Sequence, residues 1–153
     1  MRNRVLTLLL LLAAWPCLPA AAAEGQLRKV LPHLLDRHGR QSLSPSLYER
    51  DAYQAQLRRH PEQVSGLRFN VQWQAGGAAV AHLKLRVEVL GSKGTQRQPL
   101  VLEASVTPDK WGSTWSAVTL DKEKFQQTGE VTAWRVTLWD GEQQLAEQKS
   151  FLW

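Results

Sequence analysis

From Leu67 to Ala75 the chain alternates without a break. Leu67, Phe69, Val71, Trp73 and Ala75 are separated by Arg68, Asn70, Gln72 and Gln74. Successive side chains on a strand point to opposite faces, so a period of two produces one apolar face and one polar face. Leu83, Leu85, Val87 and Val89 repeat the pattern against Lys84, Arg86 and Glu88. A helix would scatter the same residues around its circumference. Both segments are therefore expected as strands with one face in a core and the other in water. Between them, Gly76-Gly77-Ala78-Ala79 predicts a connection of antiparallel neighbours.

Further strands are expected after Pro99 (Leu100 to Val106), from Trp115 to Leu120, from Glu130 to Trp139 and from Gln143 to Trp153. Asp140-Gly141 predicts a tight hairpin between the last two. Lys29 to Asp36 reads as an edge strand, because Pro32 has no N–H to give to a ladder. One helix interrupts the series at about 46–59. Ser46 and Glu49 fit a capping box, Leu47, Tyr48, Ala52, Ala55 and Leu57 form its apolar stripe, and His60-Pro61 stops it. Asp121 to Gly129 is the expected corner between sheets, with Phe125 turned inward. The expected fold is all-β: an antiparallel sandwich of six to seven strands with one short N-terminal helix insertion.

The N-terminus carries a different signal. Arg2 and Arg4 precede the apolar run Val5 to Trp15, which includes five leucines from Leu8 to Leu12. Pro16, Pro19 and the alanines before Glu24 follow. This is the order of a secretory signal peptide, residues 1–23, and the run is shorter than the ~20 apolar residues that cross a bilayer. The mature chain, 24–153, is expected as one domain without a stable membrane span, in the periplasm or outside the cell. Cys17 leaves with the leader, so neither a disulfide nor a thiolate site is available to the rest. Loss of Arg2 and Arg4 lowers the 19 basic residues to 17 against 14 acidic, a net charge of +3. That modest surplus on an exported chain argues against nucleic acid as a partner.

The strand order and turn spacing from Leu67 to Trp153 resemble immunoglobulin or fibronectin type III-like domains, without the paired cysteines of antibody domains. The stretches LSPSLYERDAYQ (Leu43 to Gln54) and AWRVTLWD (Ala133 to Asp140), with the SFLW ending, are similar to an uncharacterised family of exported bacterial proteins. That resemblance implies a compartment and a fold, and no activity.

No local pattern carries catalysis. His33, Asp36 and His38 match no zinc-ligand spacing and read as turn and surface residues. There is no Gly-x-Ser-x-Gly, and Ser44 and Ser46 are explained as helix-starting residues. No catalytic residue, metal ligand or cofactor is assigned. Tryptophan is the compositional oddity. Trp73 and Trp134 fall in the apolar phase and are expected in the core, whereas Trp111, Trp115 and Trp139 lie at turns or out of phase. These three are candidates for an aromatic platform, since flat rings bury area at small entropic cost. Arg68, Lys84 and Arg86, on the polar phase of the first two long strands, are candidates for a face that receives an anionic polymer or acidic partner. Phe151 and Trp153 are expected to pack inward from the final strand.

The function expected from these features is a noncatalytic binding or interaction module, with a protein or a polysaccharide as partner. The alternatives are a small carbohydrate-active or hydrolytic enzyme assembled from distant residues, and a structural subunit of an envelope complex.

Overall fold

The computed structural model describes residues 23–77, 82–93, 98–109 and 112–153. The expected leader, residues 1–23, therefore lies outside the described residues except for Ala23. Seven strands form: β1 (Glu24–Asp36), β2 (Val64–Gly76), β3 (Leu83–Gly91), β4 (Leu100–Ser105), β5 (Thr114–Leu120), β6 (Val131–Asp140) and β7 (Gln143–Lys149). Helix α1 (Leu47–Arg59) follows β1, and a short helix α2 (Lys122–Thr128) occupies the expected corner before β6.

The strands make two antiparallel sheets, β1-β2-β5 and β4-β3-β6-β7. The sandwich is thus all-β, as the alternation requires. Leu67, Phe69, Val71 and Trp73 of β2 are buried on one side of the core, and Leu83, Leu85, Val87 and Val89 of β3 on the other. The indole N–H of Trp73 would be costly to bury unpaired, and it donates to Ser116 Oγ at 2.9 Å. Trp134 is only half-buried, and it meets Phe69 edge-on with ring centroids 6.2 Å apart.

The two longest alternating segments are not neighbours. β2 pairs with β1 and β5, whereas β3 pairs with β4 and β6, so the intervening link crosses from one sheet to the other. Ala78 and Ala79 of that link lie outside the described residues. Both apolar faces must bury against something, and placing them in opposite sheets lets each bury the other.

β1 is an edge strand, and Pro32 sits opposite Phe69 where its missing N–H costs no ladder bond. It begins at Glu24 rather than Lys29. At the other end of the chain, β7 stops at Lys149. Ser150 ends the ladder: its Oγ accepts from Trp134 N at 3.0 Å, and its own N–H donates to Trp134 O at 2.9 Å. The chain then turns away, so Phe151 is fully exposed instead of packing inward. Trp153 lies over the Arg135 guanidinium, whose carbon is 5.1 Å from the ring centroid. The β6–β7 hairpin has Gly141 and Glu142 as its central residues, and only Gly141 has a positive φ, at 57°. That sign pattern belongs to a type II′ turn, not to the turn with two positive φ angles.

Helix α1 forms where expected, with Ser46 Oγ accepting from Glu49 N. Of its expected stripe, Leu57 is buried as read, but Ala52 is exposed and Ala55 only half-buried. Leu47 and Tyr48 are 66% and 84% exposed, while Gln54 and Leu57 are buried. The helix packs across the polar edge of β1 rather than on an apolar sheet face, so a glutamine is among the residues it buries.

These assignments separate two substitutions by their cost. Phe69→Ala opens the centre of the core and is expected to lower the unfolding free energy by about 3–5 kcal/mol in urea denaturation. Tyr48→Ala removes a ring that is largely exposed, and its expected change is below about 0.5 kcal/mol.

Candidate functional site

The insertion between β1 and β2 builds the site. Antiparallel strands turn alternate residues toward alternate neighbours. Leu34 turns its backbone N–H and C=O away from β2, toward the open edge. Gln54 of α1 takes both: its Oε1 accepts from Leu34 N at 2.8 Å and its Nε2 donates to Leu34 O at 2.9 Å. The second Nε2 hydrogen goes to Gln41 O at 2.8 Å. A single carboxamide thus substitutes for the next strand, and it is 3% exposed. An unpartnered buried amide or carbonyl costs about 1–3 kcal/mol, so this clamp fixes the helix on the edge.

Asp36 ties down the loop that leads into α1. Its Oδ1 accepts from His38 N and Arg40 N, and its Oδ2 from Arg40 Nε and Tyr53 OH, all at 2.8–2.9 Å. Burial opposes ionisation here, but the hydrogen bonds from Arg40, Tyr53 and His38 outweigh it and hold the carboxyl at about 2. The same contact, after burial, pushes the Tyr53 hydroxyl up. His33 is also buried, with Nδ1 3.0 Å from Asn70 Nδ2, and Asn70 Nδ2 donates to Gln41 Oε1 at 2.9 Å. Burial, and next the charge of Arg50, push His33 below its ordinary value. His33 and Asp36 are therefore interior residues of a polar network, not the surface residues their turn-like context suggests. Only His38 is exposed.

Beside this network, α1, α2 and one end of the sandwich enclose an open cleft of about 910 Å³. Its apolar surface comes from Leu34, Leu57, Phe125, Val131 and Trp134, and Gln54 and Ser150 add polar groups. The rim carries Arg37, Arg58, Lys93 and Lys122 against Glu62 and Glu130, and all six are exposed. The cleft exists because β7 ends at Lys149, leaving the start of β6 uncovered opposite the far half of β1. Its floor can bury an apolar body, and its rim favours negative charge. Among the described residues no group of three or more His, Cys, Asp or Glu is placed to hold a metal ion.

The residues singled out from the sequence do not assemble into one site. Trp115 is half-exposed on the outer face of the β1-β2-β5 sheet. Trp139 lies on the outer face of the other sheet, where its Nε1 donates to Thr137 Oγ1 at 2.7 Å. The core separates them, so they share no platform. Trp111 lies outside the described residues. Arg68 is likewise on the opposite outer face from Lys84 and Arg86, because β2 and β3 belong to different sheets. Lys84 pairs with Glu103 at 3.1 Å, and Arg86 faces Glu88 at 3.5 Å. Glu88 is buried and bonds Arg135 Nε at 2.6 Å, which keeps that guanidinium more firmly charged. The carboxylates on this face answer its cations locally, so it projects little net field.

Of the cleft residues, the sequence marked Leu57 in the helix stripe, Leu67 and Trp134 in the apolar phase of their strands, and Phe125 as turned inward. Arg37, Arg58, Lys93 and Lys122 come from four separate segments, and nothing local marks them as a group.

The Asp36 network makes a pH prediction. A carboxyl held at about 2 in the fold, against 3.8 ordinarily, contributes stability above pH 4 that is lost as pH falls toward 2. The stability advantage of the wild type over Asp36→Asn is expected to shrink by about 2 kcal/mol between pH 4 and pH 2. A difference that stays constant in urea titrations over that range would contradict it.

The chain matches no family model, no curated protein and no solved structure.

Proposed function

We propose that this is an exported, noncatalytic binding module whose ligand is an amphipathic anion held in the cleft between α1, α2 and the sandwich. The observation that carries it is the arrangement of the cleft wall. Phe125, Val131 and Trp134 offer half-buried apolar surface, while four exposed cations outnumber two carboxylates at the rim. Apolar burial contributes about 25 cal/mol per Å², and the cations select the sign of the ligand's polar group. The buried titratable groups nearby serve the fold. Asp36 has its oxygens occupied by the loop and Tyr53, and His33 is engaged with Asn70. Export rests on the leader: two arginines, an apolar run and small residues before Glu24.

The test uses 8-anilinonaphthalene-1-sulfonate, an apolar ring system bearing one sulfonate, as the probe. Protein recovered from the periplasmic or extracellular fraction is expected to begin at Glu24 and to bind the probe saturably, one to one. Lys93→Glu with Lys122→Glu is expected to weaken binding about tenfold, or about 1.4 kcal/mol. Lys84→Glu on the far sheet should leave it unchanged. Absence of saturable binding, or equal affinity in all three proteins, would overturn the cleft assignment, and retention of the leader would overturn export.

A further inference from the structure

A two-sheet sandwich of seven strands has four edges, and three of them are guarded. The edge of β1 is clamped by Gln54, carries Pro32 and is kinked by a register shift between Leu27 and Lys29. β7 carries exposed Glu147 and Lys149. β4 has only six residues, with exposed Glu103 at its middle. The fourth edge is β5, and it has none of these devices. Its sequence TWSAVTL contains no charge, no proline and no glycine, and no described strand pairs with its outer side.

The register shows which backbone groups lie open. Since Leu34 gives its N–H and C=O to Gln54, its partner Leu67 turns its own groups toward β5. By alternation Phe69, Val71 and Trp73 do the same. Their partners Val118, Ser116 and Thr114, with Leu120 opposite Leu67, are then bonded inward to β2. That leaves Trp115, Ala117 and Thr119 with N–H and C=O directed at the free edge. The side chains of these three residues are also exposed, on the outer face of the sheet.

We propose that this edge is a self-association surface, with a second copy of the chain as its occupant. An antiparallel pairing of β5 with β5 of the copy, with its two-fold axis at Ala117, is self-complementary. Ala117 meets Ala117 of the copy, and Trp115 meets Thr119 at both ends. The six open backbone groups of each copy are satisfied together, the two three-stranded sheets join into one of six strands, and no like charges are opposed. An aromatic ring directly across from a β-branched residue is a favourable cross-strand pair. An uncharged strand edge without proline is the kind that other sheet proteins block. No β5 residue lines the cleft, so the proposal stands apart from the ligand assignment.

A contact of one short strand is small beside the ~1,200–2,000 Å² of a stable interface, so the dimer is expected in the micromolar range, about 10–100 μM. Sedimentation velocity of the purified protein should show a reversible monomer–dimer equilibrium there. Ala117→Lys puts two ammonium groups against each other at the axis and is expected to raise the dissociation constant at least about tenfold. A second variant does not depend on that substitution folding well: Ala117→Cys in a Cys17→Ser background. Residues facing each other in a hydrogen-bonded pair lie ~5.5 Å apart, within disulfide reach, so mild oxidation should give a covalent dimer with unchanged circular dichroism. A wild-type protein that stays monomeric at 500 μM (about fivefold above the weakest dimer allowed here) would overturn the proposal. So would a dimer untouched by Ala117→Lys, or failure of the Ala117→Cys protein to cross-link.

Discussion

Leu34 has two backbone groups facing an open sheet edge, and one glutamine side chain takes them both. The placement of α1 follows from that contact. Gln54 fixes the helix against β1, Tyr53 then reaches Asp36, and Leu57, three residues beyond Gln54, is left to wall the cleft. An edge strand needs protection from other strands, and here the protecting element also encloses a space. The third carboxamide bond, to Gln41 O, draws the connecting loop into the same unit. A glutamine at this point does what no apolar residue could, because it offers a donor and an acceptor together.

Two buried carboxylates show how the fold handles charge. Asp36 is surrounded by donors, two of them backbone amides, and it remains ionised at low cost. Glu88 lies on an outer sheet face beneath Arg135, whose guanidinium is covered in turn by Trp153. In both cases the charge is paired and hydrogen-bonded, the condition under which burial is tolerated. The consequence differs. Asp36 organises the loop beside the cleft, whereas Glu88 and its partners neutralise a surface that the sequence presents as basic.

The legible part of the fold was the part set by period. Alternation in β2 and β3 marked their apolar faces residue by residue, and the Ser46 cap and His60-Pro61 bounded α1. What alternation does not encode is the identity of a strand's neighbour. Residues 76–79 read as a link between paired strands, yet β2 and β3 face each other across the core. That difference split Arg68 from Lys84 and Arg86, and Trp115 from Trp139. The buried face of α1 was legible only at Leu57, because its other anchor, Gln54, is polar and an apolar stripe does not mark it. The cleft was the least legible feature, since it arises where β7 stops and two helices approach, and neither event has a local sequence signature.

Gln54 holds α1 on the edge of β1 and thereby keeps the cleft wall in place. Hydrogen exchange at the Leu34 amide tests it most directly, because that proton's partner is the Gln54 side chain rather than a strand. Slow exchange is expected in the wild type. In Gln54→Ala, exchange at Leu34 is expected to accelerate about a hundredfold or more, with Val71 in the core still protected. A Leu34 amide that exchanges freely in the wild type, or one indifferent to the loss of Gln54, would contradict it.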